Sequence, residues 1–204
     1  ISDIQAARSK KNARNEAAPP GLHVVAKPIG PTCNLDCEYC FYLEKQVLFP
    51  GQTRMSDEVL SAFIGGYIAS QPTPVVEFVW QGGEPTLLGI DFFKRVVELQ
   101  MPFAKGRTIT NSLQTNGTLL TDAWCEKLVA AGIKIVSLSL DGASSAVHDD
   151  FRKQAGAFEG TLRGAAFLKK HGMPFLINSS FTKRNQADIA NVMRLAKSLG
   201  ATAW

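Results

Sequence analysis

The chain is poor in cysteine, with only four in 204 residues, and three of these, Cys33, Cys37 and Cys40, crowd into "CNLDCEYC". So few, so unevenly placed, exclude a disulfide framework and suit metal ligands in a reducing compartment, so a cytoplasmic protein is expected. Long hydrophobic runs are also missing. Nothing approaches the ~20 apolar residues of a membrane span, and residues 1–20, "ISDIQAARSKKNARNEAAPP", lack the apolar centre of a signal peptide. Neither membrane association nor export is expected. Charge of one sign is scarce as well: the formal net charge is +4, too diffuse for a nucleic-acid partner. The one basic cluster, Arg8, Lys10, Lys11 and Arg14, reads as a solvated tail. The chain opens on Ile1 and stops on Trp204, as a piece of a longer protein would.

What is present is a chain long enough for one domain with a substantial core. Residues 1–20 read as a flexible N-terminal arm or peripheral helix, and residues 21–204 as one core domain. Apolar runs suited to buried strands, at 22–28, 75–80, 107–114, 134–140 and 173–181, alternate with helical patterns at 56–70, 89–100, 121–132, 157–172 and 186–200. "ATAW" at the end begins a sixth strand. Ser56 and Thr121 stand where helix caps belong, and Gly132 and Gly172 where helices stop. That rhythm makes βα units around a parallel sheet, either doubly wound or a partial barrel. In both arrangements ligands gather at the carboxyl ends of the strands. There lie the cysteine loop, "QGGEPT", "QTNGT" and "SLDG".

Structural zinc and a protein-ligated [4Fe–4S] cluster ordinarily take four ligands. The fourth cysteine, Cys125, falls mid-helix in "DAWCEKL" and reads as a buried inert thiol. Three thiolates on a cubane leave one iron open to substrate or cofactor, by the logic of a catalytic zinc with a vacant position. A zinc site completed elsewhere, or a non-catalytic iron–sulfur or zinc module that docks a partner, stays open on the cysteines alone.

Cys-x₃-Cys-x-aromatic-Cys, with Tyr39 as the aromatic, resembles the signature of the radical S-adenosylmethionine (SAM) enzymes. The resemblance implies a partial (β/α)6 barrel that breaks off as strand six begins, a [4Fe–4S] cluster on Cys33, Cys37 and Cys40, and SAM as cofactor. It implies that SAM's amino and carboxylate groups chelate the open iron. One electron then breaks its S–C5′ bond, giving a 5′-deoxyadenosyl radical that abstracts hydrogen. "GGEP", with Gly82, Gly83 and Glu84, is similar to the second family motif, and Ser139 and Arg152 match the serine and arginine that hold SAM. The glycines suit close backbone approach, and a guanidinium fork suits a carboxylate. Gln114, Thr115 and Asn116 are expected to line the cavity without an assigned partner. His148 reads as structural, Asp141-Gly142 as a turn, and Lys27 as either near the site or capping the barrel.

From about residue 22 to 142 the chain resembles the anaerobic sulfatase-maturating enzymes, in "CNLDCEYCFYLEK", "FVWQGGEPTLLGIDFFKRVVELQ" and "NSLQTNGTLLTDAW". That likeness implies oxidation of a cysteine or serine side chain of a sulfatase to Cα-formylglycine. It also implies a low-potential electron donor such as flavodoxin or ferredoxin. "INSSFTKRN" and "LAKSLGATAW" are more similar to radical enzymes of haem and peptide-derived cofactor biosynthesis, the alternative substrate class. Both groups carry a cysteine-rich C-terminal (SPASM) domain, so the general base is expected beyond residue 204 and no catalytic residue is assigned within the chain.

Overall fold

The computed structural model describes residues 21–42, 51 and 54–204. The expected N-terminal arm and its basic cluster lie outside them. Among the described residues five strands form one sheet in sequential order: β1 (Val25–Ala26), β2 (Val75–Trp80), β3 (Thr108–Thr115), β4 (Ile133–Ser139) and β5 (Phe175–Asn178). Every neighbouring pair is parallel, with Val79 opposite Val25 and Leu113 opposite Trp80. Parallel neighbours require crossovers, and helices supply them. These are α1 (Asp57–Ser70), α2 (Ile90–Ala104), α3 (Asp122–Ala130), α4 (Ser145–Arg152), α5 (Ala157–Lys170) and α6 (Ile189–Leu199). Strands β1 and β5 stand at opposite ends of the row, so the sheet is open: a partial barrel. Ala203 makes an isolated parallel bridge to Leu176, which is where the sixth strand was expected to start.

The caps act where the sequence places them. Ser56 Oγ accepts from Val59 N at 3.3 Å, and Thr121 Oγ1 from Trp124 N at 3.2 Å, each satisfying an N-terminal helix donor. One alternating face of each strand feeds the core. Val76, Phe78 and Trp80 of β2, Leu113 of β3, Val136 and Leu138 of β4, and Phe175 and Ile177 of β5 are buried. They meet Ile64, Phe93, Leu128, Leu168 and Val192 from the helices in one cluster. One polar knot sits inside it: Asn111 Oδ1 accepts from Trp80 Nε1 and Gln100 Nε2, both at 2.9 Å. Each buried group there has a partner, so the knot fixes β2, β3 and α2 without an unsatisfied donor. No helix among the described residues is long and apolar enough to cross a membrane.

Candidate cofactor site

The carboxyl ends of the strands open into one cavity of about 340 Å³. Cys33, Cys37 and Cys40 line it together with Gly82 and Gly83 after β2, Gln114 to Asn116 at the end of β3, Ser139 and Asp141 at the end of β4, and Arg152. The four motif segments therefore share one mouth. Cys125 does not join them: it is fully buried in α3 as a free thiol, pushed up to about 11 by burial.

The cysteine loop turns on Gly30 N to Lys27 O (3.1 Å) and Cys40 N to Cys37 O (2.9 Å). The Leu35 amide donates to Cys33 Sγ at 3.4 Å. Burial raises the Cys33 thiol and pushes Cys37 up to about 11, with Arg152 opposing the shift at Cys37. Both thiols thus keep their protons until a metal displaces them. Among the described residues no three His, Cys, Asp or Glu side chains converge as ligands of a single ion would. Lys27 does not line the cavity; its Nζ lies 4.7 Å from the centre of the Phe41 ring.

Glycine is obligatory in the wall opposite. Gly82 sits at φ +130°, and a Cβ on Gly83 would come within 2.0 Å of the Thr32 carbonyl oxygen. The wall and the cysteine loop are laced by Gly83 N to Gly30 O (2.7 Å) and Glu84 N to Thr32 O (2.8 Å). Glu84 itself does not line the cavity and is fully buried. Its Oε1 accepts from Thr86 N (3.0 Å), Thr86 Oγ1 (2.6 Å) and Thr115 Oγ1 (2.7 Å), and its Oε2 from Asn116 N (2.8 Å). Burial raises this carboxyl and the four donors oppose the rise. The arrangement makes Glu84 a brace between the β2 and β3 loops. Asn116 passes the brace on, donating from Nδ2 to Asn34 Oδ1 at 2.9 Å in the cysteine loop.

On the far side Arg152, at the end of α4, is 6% exposed and meets Asp141 Oδ2 through Nε and Nη2, both at 2.8 Å. Burial would lower this guanidinium, but Asp141, Tyr39 and Cys37 outweigh it, so the cation is held firmly charged. Tyr39 lies against Phe151, ring centroids 4.5 Å apart, and gives its hydroxyl proton to Asp141 Oδ2 at 2.7 Å. Burial raises the Tyr39 phenol, so it stays neutral. Ser139 Oγ accepts from Gln114 Nε2 at 2.8 Å, and Asn178 Nδ2 donates to Gln114 Oε1, giving a neutral polar ladder across β3, β4 and β5. Two lining residues of this set, Asp141 and Asn178, carried no site assignment from sequence. Asp141-Gly142 of "SLDG" read as a turn because nothing local shows that the aspartate meets a tyrosine 102 positions earlier.

His148 is fully buried, its Nδ1 accepting from Asp141 N at 3.1 Å. Burial first, then Arg152, bring its pKa down to about 4. In the unfolded chain the imidazole titrates near ~6.5. Between these values the unfolded state takes a proton that the folded state refuses, so stability falls as pH drops from 6.5 towards 4 and levels off below. The expected loss is ~3 kcal/mol. Urea unfolding of the apoprotein across this range should show the slope, and His148→Gln should flatten it.

Comparison with known proteins accords with this geometry. Residues 28–196 match the family model "Radical SAM superfamily". The serine-type anaerobic sulfatase-maturating enzyme of Bacteroides thetaiotaomicron is 46% identical over 157 residues, 74% of this chain and 37% of that protein. The AdoMet-dependent heme synthase of Methanosarcina barkeri is 36% identical over 181 residues, 89% of this chain and 49% of that protein. A solved structure of native anSMEcpe with bound AdoMet and the Cp18Cys peptide superposes with a TM-score of 0.73 at 34% identity. It covers 85% of this chain and 47% of that one. The chain thus spans less than half the length of each of these relatives. With the family model covering most of its length and an open parallel βα sheet beneath a three-cysteine loop, the chain belongs to the radical SAM superfamily.

Proposed function

We propose that this chain is the cofactor-binding core of a radical SAM enzyme that oxidises a cysteine or serine side chain of a peptide or protein, a sulfatase foremost. The observation that carries the reading is the convergence of Cys33, Cys37 and Cys40 with Tyr39, Gly82, Gly83, Ser139 and Arg152 on one cavity. The residues fit a [4Fe–4S] cluster better than a single zinc ion. Three thiols on one cavity suit three irons of a cubane, with the fourth iron left open, where a structural zinc would want a fourth ligand. When bound, the cluster supplies the electron that cleaves SAM. Cys33, Cys37 and Cys40 would hold it, and the electron would come from a low-potential one-electron donor such as flavodoxin or ferredoxin. The Gly82–Gly83 backbone would meet SAM's amino group, Ser139 would add a hydroxyl, and Arg152 would offer its remaining donors to SAM's carboxylate. Tyr39 presents its ring face. Glu84 serves SAM indirectly, by holding the glycine wall in place.

The cavity lining supports a neutral peptide segment over one of the alternatives, a haem precursor. Among the described lining residues the one cation, Arg152, is matched by the one anion, Asp141, and the floor is made of amides and hydroxyls. A tetrapyrrole bearing several carboxylates needs surplus cations. The chemistry on the peptide is loss of a β-hydrogen atom to the 5′-deoxyadenosyl radical, then of one electron to a one-electron acceptor and of one proton to a base outside the residues named above. Serine gives the aldehyde directly, and cysteine a thioaldehyde that water converts to the aldehyde with release of hydrogen sulfide. Incubation of the reconstituted enzyme with SAM, reductant and a sulfatase-derived peptide should convert serine or cysteine to the aldehyde by mass spectrometry. 5′-Deoxyadenosine formed while the peptide stays intact and a carboxylated tetrapyrrole is consumed would establish the alternative.

A further inference from the structure

Asp141 holds together, from inside, three parts of the chain that Arg184 also joins at the surface through Glu38 and Asp150. It is fully buried yet lines the cavity. Its Oδ2 accepts from Tyr39 Oη at 2.7 Å and from Arg152 Nε and Nη2 at 2.8 Å, and its Oδ1 accepts from Ser180 N at 2.8 Å. Its own backbone is pinned as well, through its amide to His148 and through its carbonyl to Asn185 Nδ2 at 2.9 Å. Tyr39 belongs to the cysteine loop, Arg152 to α4, and Ser180 to the loop that follows β5.

We propose that Asp141 is a positioning residue that couples the cysteine loop to the arginine meeting SAM, a reading that rests on the cofactor site proposed above. One oxygen receives both Tyr39 and Arg152, so neither can be reoriented without disturbing the other. Both Arg152 donors on that oxygen are spent, and the guanidinium has no other partner among the described residues. Asp141 therefore selects which edge of the fork faces the cavity. The Tyr39 hydroxyl proton is spent too, which leaves the ring face to meet the cofactor. A clamp set before the ligand arrives saves the ordering cost of binding, so loosening it at Tyr39 weakens SAM binding at Arg152.

The test is a cycle of Tyr39→Phe and Arg152→Lys, read as SAM dissociation constants by anaerobic calorimetry on protein of equal iron content. Tyr39→Phe keeps the ring and should raise the constant about fivefold, the worth of one ordinary hydrogen bond. In the Arg152→Lys background the same change should do almost nothing, because the fork it holds is gone. A purely structural tyrosine would instead lower the melting temperature and leave the constant alone. Arg152→Lys weakening SAM while Tyr39→Phe has no effect would overturn the coupling and leave the cofactor reading standing. Both variants binding SAM like the parent would overturn the cofactor reading at Arg152 itself, and the coupling with it. Asp141→Asn, if it folds, should reproduce the larger loss; unchanged affinity there would also overturn the coupling.

Discussion

Gly83→Ala is expected to strip the protein of its iron. The added Cβ would lie 2.0 Å from the Thr32 carbonyl oxygen, 2.4 Å from its carbon and 2.7 Å from the Pro31 carbonyl oxygen. All three are main-chain atoms, so no side chain can swing aside and the two loops must part. Parting them breaks Gly83 N to Gly30 O and Glu84 N to Thr32 O, the lacing that sets the cysteine loop against its wall. Overpacking of this kind costs ~3 kcal/mol or more. Iron per chain after anaerobic reconstitution should fall from about four to near zero, with a lowered melting temperature. Gly66→Ala is the control: nothing lies within 4 Å of its Cβ, so iron should stay and stability should hold or rise slightly.

Arg152→Ala should cost more stability than its position at a helix end suggests. The substitution removes both the Nε and Nη2 bonds and leaves the Asp141 carboxylate, 0% exposed, without its cation. Breaking a buried pair from one side costs ~3–5 kcal/mol, because the abandoned charge stays desolvated. Chemical denaturation should show that loss, and Arg152→Lys should restore much of it by returning a charge. SAM affinity should separate from stability in the lysine variant. The point charge lacks the fork, and binding should remain weaker by roughly 1.5–3 kcal/mol. An alanine variant as stable as the parent would show that the pair contributes nothing to the fold.

Much of this architecture is visible in the chain because its strands are short apolar runs set off by helix signals. "VVEFVW" coincides with β2 residue for residue. The expected strand at 22–28 shrinks to Val25–Ala26, since Lys27 already begins the turn that leads to the cysteines. Helix α2 runs to Ala104, past the expected end at residue 100. Pro102 lies inside it and leaves the Glu98 carbonyl without its i+4 donor, and the helix ends two residues later. Helix α4 went unassigned: "SAVHDDFR" offers few apolar positions and its Ser144 cap makes no side-chain bond. Its support is tertiary, from His148, Phe151 and Arg152 turned inward.

The site divides along the same line. The cysteines and glycines announce themselves by spacing, because their chemistry is local to one loop. Glu84 and Asp141 do not, because their roles are set by partners distant in sequence. Glu84 sits in a motif that reads as a cofactor contact, yet its carboxylate receives Thr115 and Asn116 from the next strand. Only the register of β2 against β3 brings those donors to it, and only the placement of α4 brings Arg152 to Asp141.

We propose that Cys33, Cys37 and Cys40 hold one [4Fe–4S] cluster whose open iron takes SAM. The most direct measurement is the low-temperature EPR spectrum of the anaerobically reconstituted, reduced protein, recorded with and without SAM and repeated for Cys125→Ala. The expected result is a single cubane signal that SAM changes, with about four irons per chain by iron assay, in both proteins alike. A signal indifferent to SAM, or a cluster lost with Cys125, would contradict it.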